Sequence, residues 1–167
     1  MFKTISSVSY FRNFIFGVED SLVSTVGLLS GIAIAGVPRE TIFLTGVVLI
    51  FVEAFSMAAG SFLSESSAEE YLTGSNRTQR NSLTAGLVMF CSYFISGFIP
   101  LLPYLVWSVG TALKFSIAFS IIALCILGAI SGRIAKTSLV KVVLRMFIVG
   151  GTAIAIGIGT GSLVSSF

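Results

Sequence analysis

The sequence TIFLTGVVLIFVEAFSMAAGSFL, residues 41–63, decides the fold class. Its only charged residue is Glu53, and a helix needs about 20 mainly apolar residues to cross a bilayer. Four other runs have the same character, so we expect an all-α membrane protein with five transmembrane helices in a single integral membrane domain, residues 1–167. The predicted spans are residues 14–37, 41–63, 83–106, 114–131 and 142–164.

The composition excludes several classes of protein. Hydrophobic residues make up 55% of the chain and charged residues 10%, whereas a soluble domain averages about 25% charged residues. A soluble enzyme, a nucleic-acid-binding domain and a disordered protein are therefore excluded. The chain has no histidine, so imidazole proton relays and histidine metal sites are excluded as well. Nothing in the sequence activates a nucleophile, and we do not expect an enzyme.

The positive charges predict the orientation in the membrane. Lys and Arg favour the cytoplasmic loops of membrane proteins. With the N-terminus in the cytoplasm, only Arg39 and Lys114 lie outside, and eight basic residues lie inside: Lys3, Arg12, Arg77, Arg80, Arg133, Lys136, Lys141 and Arg145. The C-terminus is then outside and the acidic connector, residues 64–82, is cytoplasmic. The expected location is the inner cell membrane in a prokaryote or a vacuolar-type membrane in a eukaryote.

Ionisable residues within the predicted spans mark the candidate site. Each costs at least about 2.5 kcal/mol at the bilayer centre and normally serves function. Glu53 lies near the middle of the second span, and Met57 follows one turn later on the same face. Asp20 lies about six residues into the first span. From the helical rise we expect Asp20 and Met57 to share one layer, with Glu53 about 6 Å further toward the outside.

This residue set favours metal chemistry. Carboxylates attract divalent cations, and a thioether suits Fe²⁺ better than Mg²⁺ or Ca²⁺. A carboxylate held away from water can also exchange its metal for protons. We therefore predict a membrane protein that binds a divalent metal ion through Asp20, Glu53 and Met57 and can exchange it for protons. Its partners are divalent metal ions, protons and the lipid bilayer, with no nucleic acid and no permanently bound cofactor.

Each of these residues also has a purely structural interpretation. Asp20 and Glu19 can stabilise the first turn of a helix, and Met57 can simply fill space in the core. Two other functions stay open: a passive cation channel and a non-transporting membrane interaction protein.

The helical stripe of Glu53 and Met57 continues toward the cytoplasm. Its carboxylates form either a cytoplasmic access path for metal or merely the solvated end of a helix; they are Glu65, Glu69 and Glu70. Ser61, on the same stripe, and Glu19 are candidate accessory residues.

A two-fold dimer would complete the metal site. Three side-chain ligands make half of an octahedral shell, and a second copy doubles them. Gly27 and Gly31, four residues apart, can bring two copies close together. The similar ridge Ala153, Gly157 and Gly161 is better explained by helix packing within one subunit.

Four stretches of the chain resemble the vacuolar iron transporter family. They are EDSLVSTV at residues 19–26, AFSMAAG at 54–60 with SESS at 64–67, GFIPLLPY at 97–104, and LRMFIVGG at 144–151. The resemblance covers most of the chain. It implies a homodimeric ferrous-ion/proton antiporter that exports metal from the cytosol, with a route at the dimer interface lined by the first two helices. Together with the charged residues above, this makes export of Fe²⁺ or Mn²⁺ from the cytoplasm in exchange for protons the leading hypothesis. The aspartate and methionine of the family match Asp20 and Met57.

Two departures from the family pattern matter. The family has a glutamate two turns before the methionine, where this chain has Leu49, so Glu53 is not carried over and depends on the burial argument alone. Members with a cytosolic metal-binding domain have a long insertion after the second helix. Residues 64–82 are too few for it, and we expect no such domain.

Overall fold

The computed structural model describes residues 2–73 and 79–166, and side chains within 7–71 and 81–166. The described residues form helices without strands. The helices are α1 (Phe2–Ile34), α2 (Arg39–Thr73), α3 (Gln79–Leu101), α4 (Pro103–Val106), α5 (Val109–Ile134) and α6 (Leu139–Ser165). All except the single turn α4 are long and apolar enough to cross a membrane. This confirms the predicted all-α membrane fold with five spans. Arg77 and the side chains of Lys3 and Arg80 lie outside the described residues.

Two helices extend well beyond their predicted spans. α1 begins at Phe2 instead of residue 14, and α2 continues to Thr73 instead of ending at residue 63. The added part of α2, residues 64–73, contains three Ser, three Glu and one Ala. Hydropathy detects only the part of a helix that suits lipid, whereas Glu and Ala also favour helix in water. Much of the predicted acidic connector is therefore a continuation of α2.

The third span is shorter than predicted. α3 ends at Leu101 instead of residue 106, and Pro103 begins α4 as its first residue. Proline has no N–H to continue a helix but suits a first helical position. The break turns Tyr104 inward, where it is 1% exposed and packs in the core with Leu101 and Ile42.

α1 is the central helix of the bundle. It packs most extensively against α3 on one side and α6 on the other, while α2 packs mainly against α3. The start of α1, the end of α2 and the start of α6 therefore lie at one end of the bundle. We call this the basic end because it carries Arg12, Arg133, Lys136, Lys141 and Arg145.

Glycines bring α1 and α6 into backbone contact. A Cβ on Gly31 would lie 2.7 Å from the carbonyl oxygen of Gly157, and a Cβ on Gly157 would overlap the carbonyl of Gly27. Such small-residue contacts let helices approach closely where lipid gives no hydrophobic drive. The interpretation of Gly157 and Gly161 as packing within one subunit is confirmed. Gly27 and Gly31, expected between two copies, are instead used within the chain.

This contact predicts opposite effects for two alanine substitutions on α6. Gly157→Ala should lower the free energy of unfolding by about 1–3 kcal/mol, because the new Cβ meets the α1 backbone. Gly159→Ala should leave it unchanged or raise it by up to about 1 kcal/mol, because a Cβ there meets nothing within 4 Å. Chemical unfolding in detergent micelles measures both. Equal effects would contradict the packing.

Tight turns end α1 and α5 in the same way. Gly36 has a φ of 78°, and the N–H groups of Gly36 and Val37 donate to the carbonyls of Ala33 and Ile32. This is the Schellman arrangement, in which glycine avoids a Cβ penalty. Lys136 occupies the equivalent position after α5 with a φ of 53°. A lysine there pays about 1–2 kcal/mol of backbone strain.

Lys136→Gly should therefore stabilise the protein by about 1 kcal/mol. Ala135→Gly is the matched control: Ala135 has a right-handed φ of −75°, so glycine there should destabilise the protein by up to about 1 kcal/mol. Thermal unfolding in detergent compares them. A lower melting temperature for Lys136→Gly would refute the strain argument.

Candidate functional site

A cavity of about 680 Å³ lies among α1, α2 and α3, on the side of the bundle centre that faces the basic end. We call it the vestibule. Its walls come from three helices: Arg12 and Asn13 from α1, Met57, Ser61 and Ser64 from α2, and Met89 from α3. A Cβ on Gly60, also in the wall, would meet nothing within 4 Å, so α2 keeps a gap from α1 there.

Polar contacts across the vestibule fix how α1 and α2 align. Ser61 donates a hydrogen bond of 3.0 Å to the Oδ1 of Asn13, which is 4% exposed. Asn13 in turn donates from Nδ2 to Ser9 at 3.4 Å. One turn nearer the basic end, Arg12 and Glu65 form an ion pair of 3.1 Å. These pairs align two antiparallel helices. Residues further toward the C-terminus of α1 therefore lie level with residues further toward the N-terminus of α2.

The register places Asp20 level with Glu53. Asp20 lies seven residues beyond Asn13 and Glu53 eight residues before Ser61, which corresponds to about 10.5 and 12 Å of helical rise. By this register the two carboxylates lie in the same layer of the bundle, and both side chains are partly buried. By this register Met57 lies about one turn nearer the basic end than Asp20. The prediction that Asp20 and Met57 share one layer is therefore wrong by about one helical turn.

Two serines of α1 form hydrogen bonds with Tyr93 of α3 close to the carboxylate pair, and we call this set of contacts the serine–tyrosine seam. Ser21 donates to the carbonyl of Tyr93 at 2.6 Å, and the hydroxyls of Ser24 and Tyr93 lie 2.7 Å apart. Tyr93 is fully buried. The seam holds α1 against α3, and α3 also packs against α2, so α3 helps to position both helices that carry the carboxylates.

The accessory residues have separate roles. Glu19 directly precedes Asp20 on α1 and is partly buried. Glu65 is paired with Arg12, and Glu69 accepts a hydrogen bond of 3.1 Å from Ser82. Glu70 is exposed. The three inner glutamates therefore do not converge on one point.

Among the described residues, no three His, Cys, Asp or Glu side chains form a metal-holding group. The carboxylates that approach each other are the pair Asp20 and Glu53. A metal held here would take its other ligands from neutral donors such as thioethers, hydroxyls and amides.

Sequence reasoning missed several residues of this site. Asn13 precedes the predicted first span, while Met89 and Tyr93 lie in a span without charges. The signal for Asn13 is an amide four residues after Ser9 and seven before Asp20, on the face of α1 that carries the carboxylate. Met89 has no such signal, because the packing of α3 decides which of its side chains face the vestibule.

Two segments, residues 11–81 and 68–162, match the family model of the VIT family. The chain belongs to the VIT family. The first segment contains Asp20, Glu53 and Met57, and the second contains Met89 and Tyr93. The resemblance to the vacuolar iron transporter family is thereby confirmed.

A similar relative supports membership of the VIT family. The chain is 27% identical to vacuolar iron transporter homolog 4 of Arabidopsis thaliana, over 94% of this chain and 85% of the relative. The two VIT family segments overlap at residues 68–81, where α2 ends and α3 begins. The similarity thus extends through all five spans of the fold.

The contact between Ser61 and Asn13 can be tested by stability. Ser61→Ala should lower the free energy of unfolding by about 0.5–1.5 kcal/mol, because it leaves the buried Asn13 carbonyl unpaired. Ser56→Ala removes an exposed hydroxyl from the same wall and should change it by less than about 0.5 kcal/mol. Chemical unfolding in micelles measures the difference. Equal losses would mean that the hydrogen bond does not align the helices.

Proposed function

We propose that this protein exports Fe²⁺ or Mn²⁺ from the cytoplasm in exchange for protons. The observation that carries the proposal is the carboxylate pair Asp20 and Glu53, held at one level within the membrane spans, with Met57 and the vestibule next to it on the side of the basic end. VIT family membership and the similarity to a vacuolar iron transporter homolog support the metal as the cargo.

The pair suits exchange because two like charges at one level within the membrane spans are stabilised by a compensating positive charge. Either a cation or a proton can supply it. A divalent ion neutralises both charges at once. When the ion leaves on the other side of the membrane, protons can replace it and neutralise the carboxylates. The metal stabilises one state of the site and the protons stabilise the other.

The direction of transport follows from the orientation. The basic end carries most of the described positive charges, and such ends face the cytoplasm. The vestibule lies nearer that end than Asp20 and Glu53 do, which supports the cytoplasm as the compartment that supplies the metal. The ion pair of Arg12 and Glu65 lies at the mouth.

We further propose that the working unit is a homodimer. One chain offers a carboxylate pair and a thioether, which do not fill the shell of six ligands that Fe²⁺ or Mn²⁺ commonly takes. A two-fold axis would double the donors. The outer face of α2 is apolar and exposed along Leu44, Val48, Phe51 and Phe55, so a second copy or lipid has to cover it.

Metal uptake into proteoliposomes tests the function. Asp20→Asn and Glu53→Gln should each lower Fe²⁺ flux at least about tenfold, since 1.4 kcal/mol of lost attraction is a tenfold change in binding. The control is Glu40→Gln, an exposed glutamate at the opposite end paired with Arg39 at 3.8 Å. It should transport like the unmodified protein.

Three outcomes would contradict the proposal. If both variants transport normally, the carboxylate pair is not the site. If a proton gradient leaves flux unchanged apart from voltage, the protein is a passive cation channel. If calorimetry detects no divalent-metal binding at neutral pH, it is a non-transporting membrane protein.

A further inference from the structure

Two of the four methionines in the chain, Met57 of α2 and Met89 of α3, line the same cavity. Met89 is 2% exposed, so it is enclosed by protein and does not face lipid. Of the other two, Met146 packs in the core with Leu22 and Leu124. The vestibule therefore collects thioethers that α2 and α3 supply independently.

The two methionines lie at nearly the same depth. The Cβ of a side chain on Gly86 would lie 2.9 Å from the carbonyl oxygen of Ala58, so these residues of α3 and α2 are level. Met89 is three residues past Gly86, and Met57 is one residue before Ala58, which is the same direction in antiparallel helices. Their levels differ by about 3 Å of helical rise.

The backbone of α1 makes room for the second sulfur. The Sδ of Met89 lies 3.1 Å from where a Cβ on Gly17 would stand. A side chain at Gly17 would displace this sulfur. Neutral oxygen donors stand nearby in the same wall, on Asn13 and Ser61.

We propose that Met89 and Met57 together form a two-thioether site in the vestibule that selects soft metal ions before they reach Asp20 and Glu53. The inference rests on the proposed metal transport and adds its selectivity. Thioethers favour soft cations, whereas Mn²⁺ and Mg²⁺ prefer oxygen. A site with two sulfurs therefore retains Fe²⁺ longer than Mn²⁺, although the carboxylates beyond it bind both.

X-ray absorption at the cadmium edge tests the site directly, with Cd²⁺ as a soft probe. The full-length protein carries Cys91→Ala and Cys125→Ala, which removes the thiols. We expect two sulfur neighbours around Cd²⁺. Met57→Leu and Met89→Leu should each leave one, and Met146→Leu, the control in the core, should leave two. Leucine preserves the volume, so a packing role alone would not change the count.

Binding competition gives the second readout. In Met89→Leu the ratio of Cd²⁺ to Mn²⁺ affinity should fall about tenfold, which is the effect of losing one soft ligand. An unmodified sulfur count below two, a count that Met89→Leu leaves unchanged, or an equal loss of both affinities would overturn the proposal. Two sulfurs without any metal flux would leave this site standing and refute the proposed transport.

Discussion

The close approach of α1 to its neighbours is the constraint on which the rest of the structure depends. Within hydrocarbon the helices gain little from burying apolar side chains against each other, so they are held by packing and by hydrogen bonds. Gly27 and Gly31 bring α6 onto one side of α1. Ser21 and Ser24 bond to Tyr93 of α3 on another. With α1 fixed from both sides, its remaining polar face is turned to α2.

The sequence alone predicts the five spans well because each is a long apolar run. It does less well where a helix leaves the lipid. Residues 64–73 are too polar to be read as a span, yet they continue α2, because helix propensity and hydropathy are different properties. The early end of α3 lies between two prolines: Pro100 is inside the helix, and Pro103 begins α4.

Only part of the candidate site can be predicted from the sequence. Asp20 and Glu53 are conspicuous because a carboxylate in an apolar run has no ordinary role. Their relative depth depends on where α1 meets α2, and the contact of Asn13 with Ser61 decides that. A methionine in an apolar run gives no such signal, because the sequence does not show which side of α3 faces the cavity. Met89 therefore looks like any other core residue. The glycines of α1 likewise fit a partner copy or α6 equally well as a pattern.

The four-residue connection between α1 and α2 has a mechanical consequence. Residues 35–38 join the two helices through the turn at Gly36, so their tied ends cannot separate. Toward the basic end they contact each other through side chains at the vestibule, without a covalent link, and both pack against α3. Any widening between the two helices is therefore a wedge with its apex at the turn. An ion that enters such a gap from its wide end cannot continue between α1 and α2 past the turn. It would have to leave along another face of one of these helices.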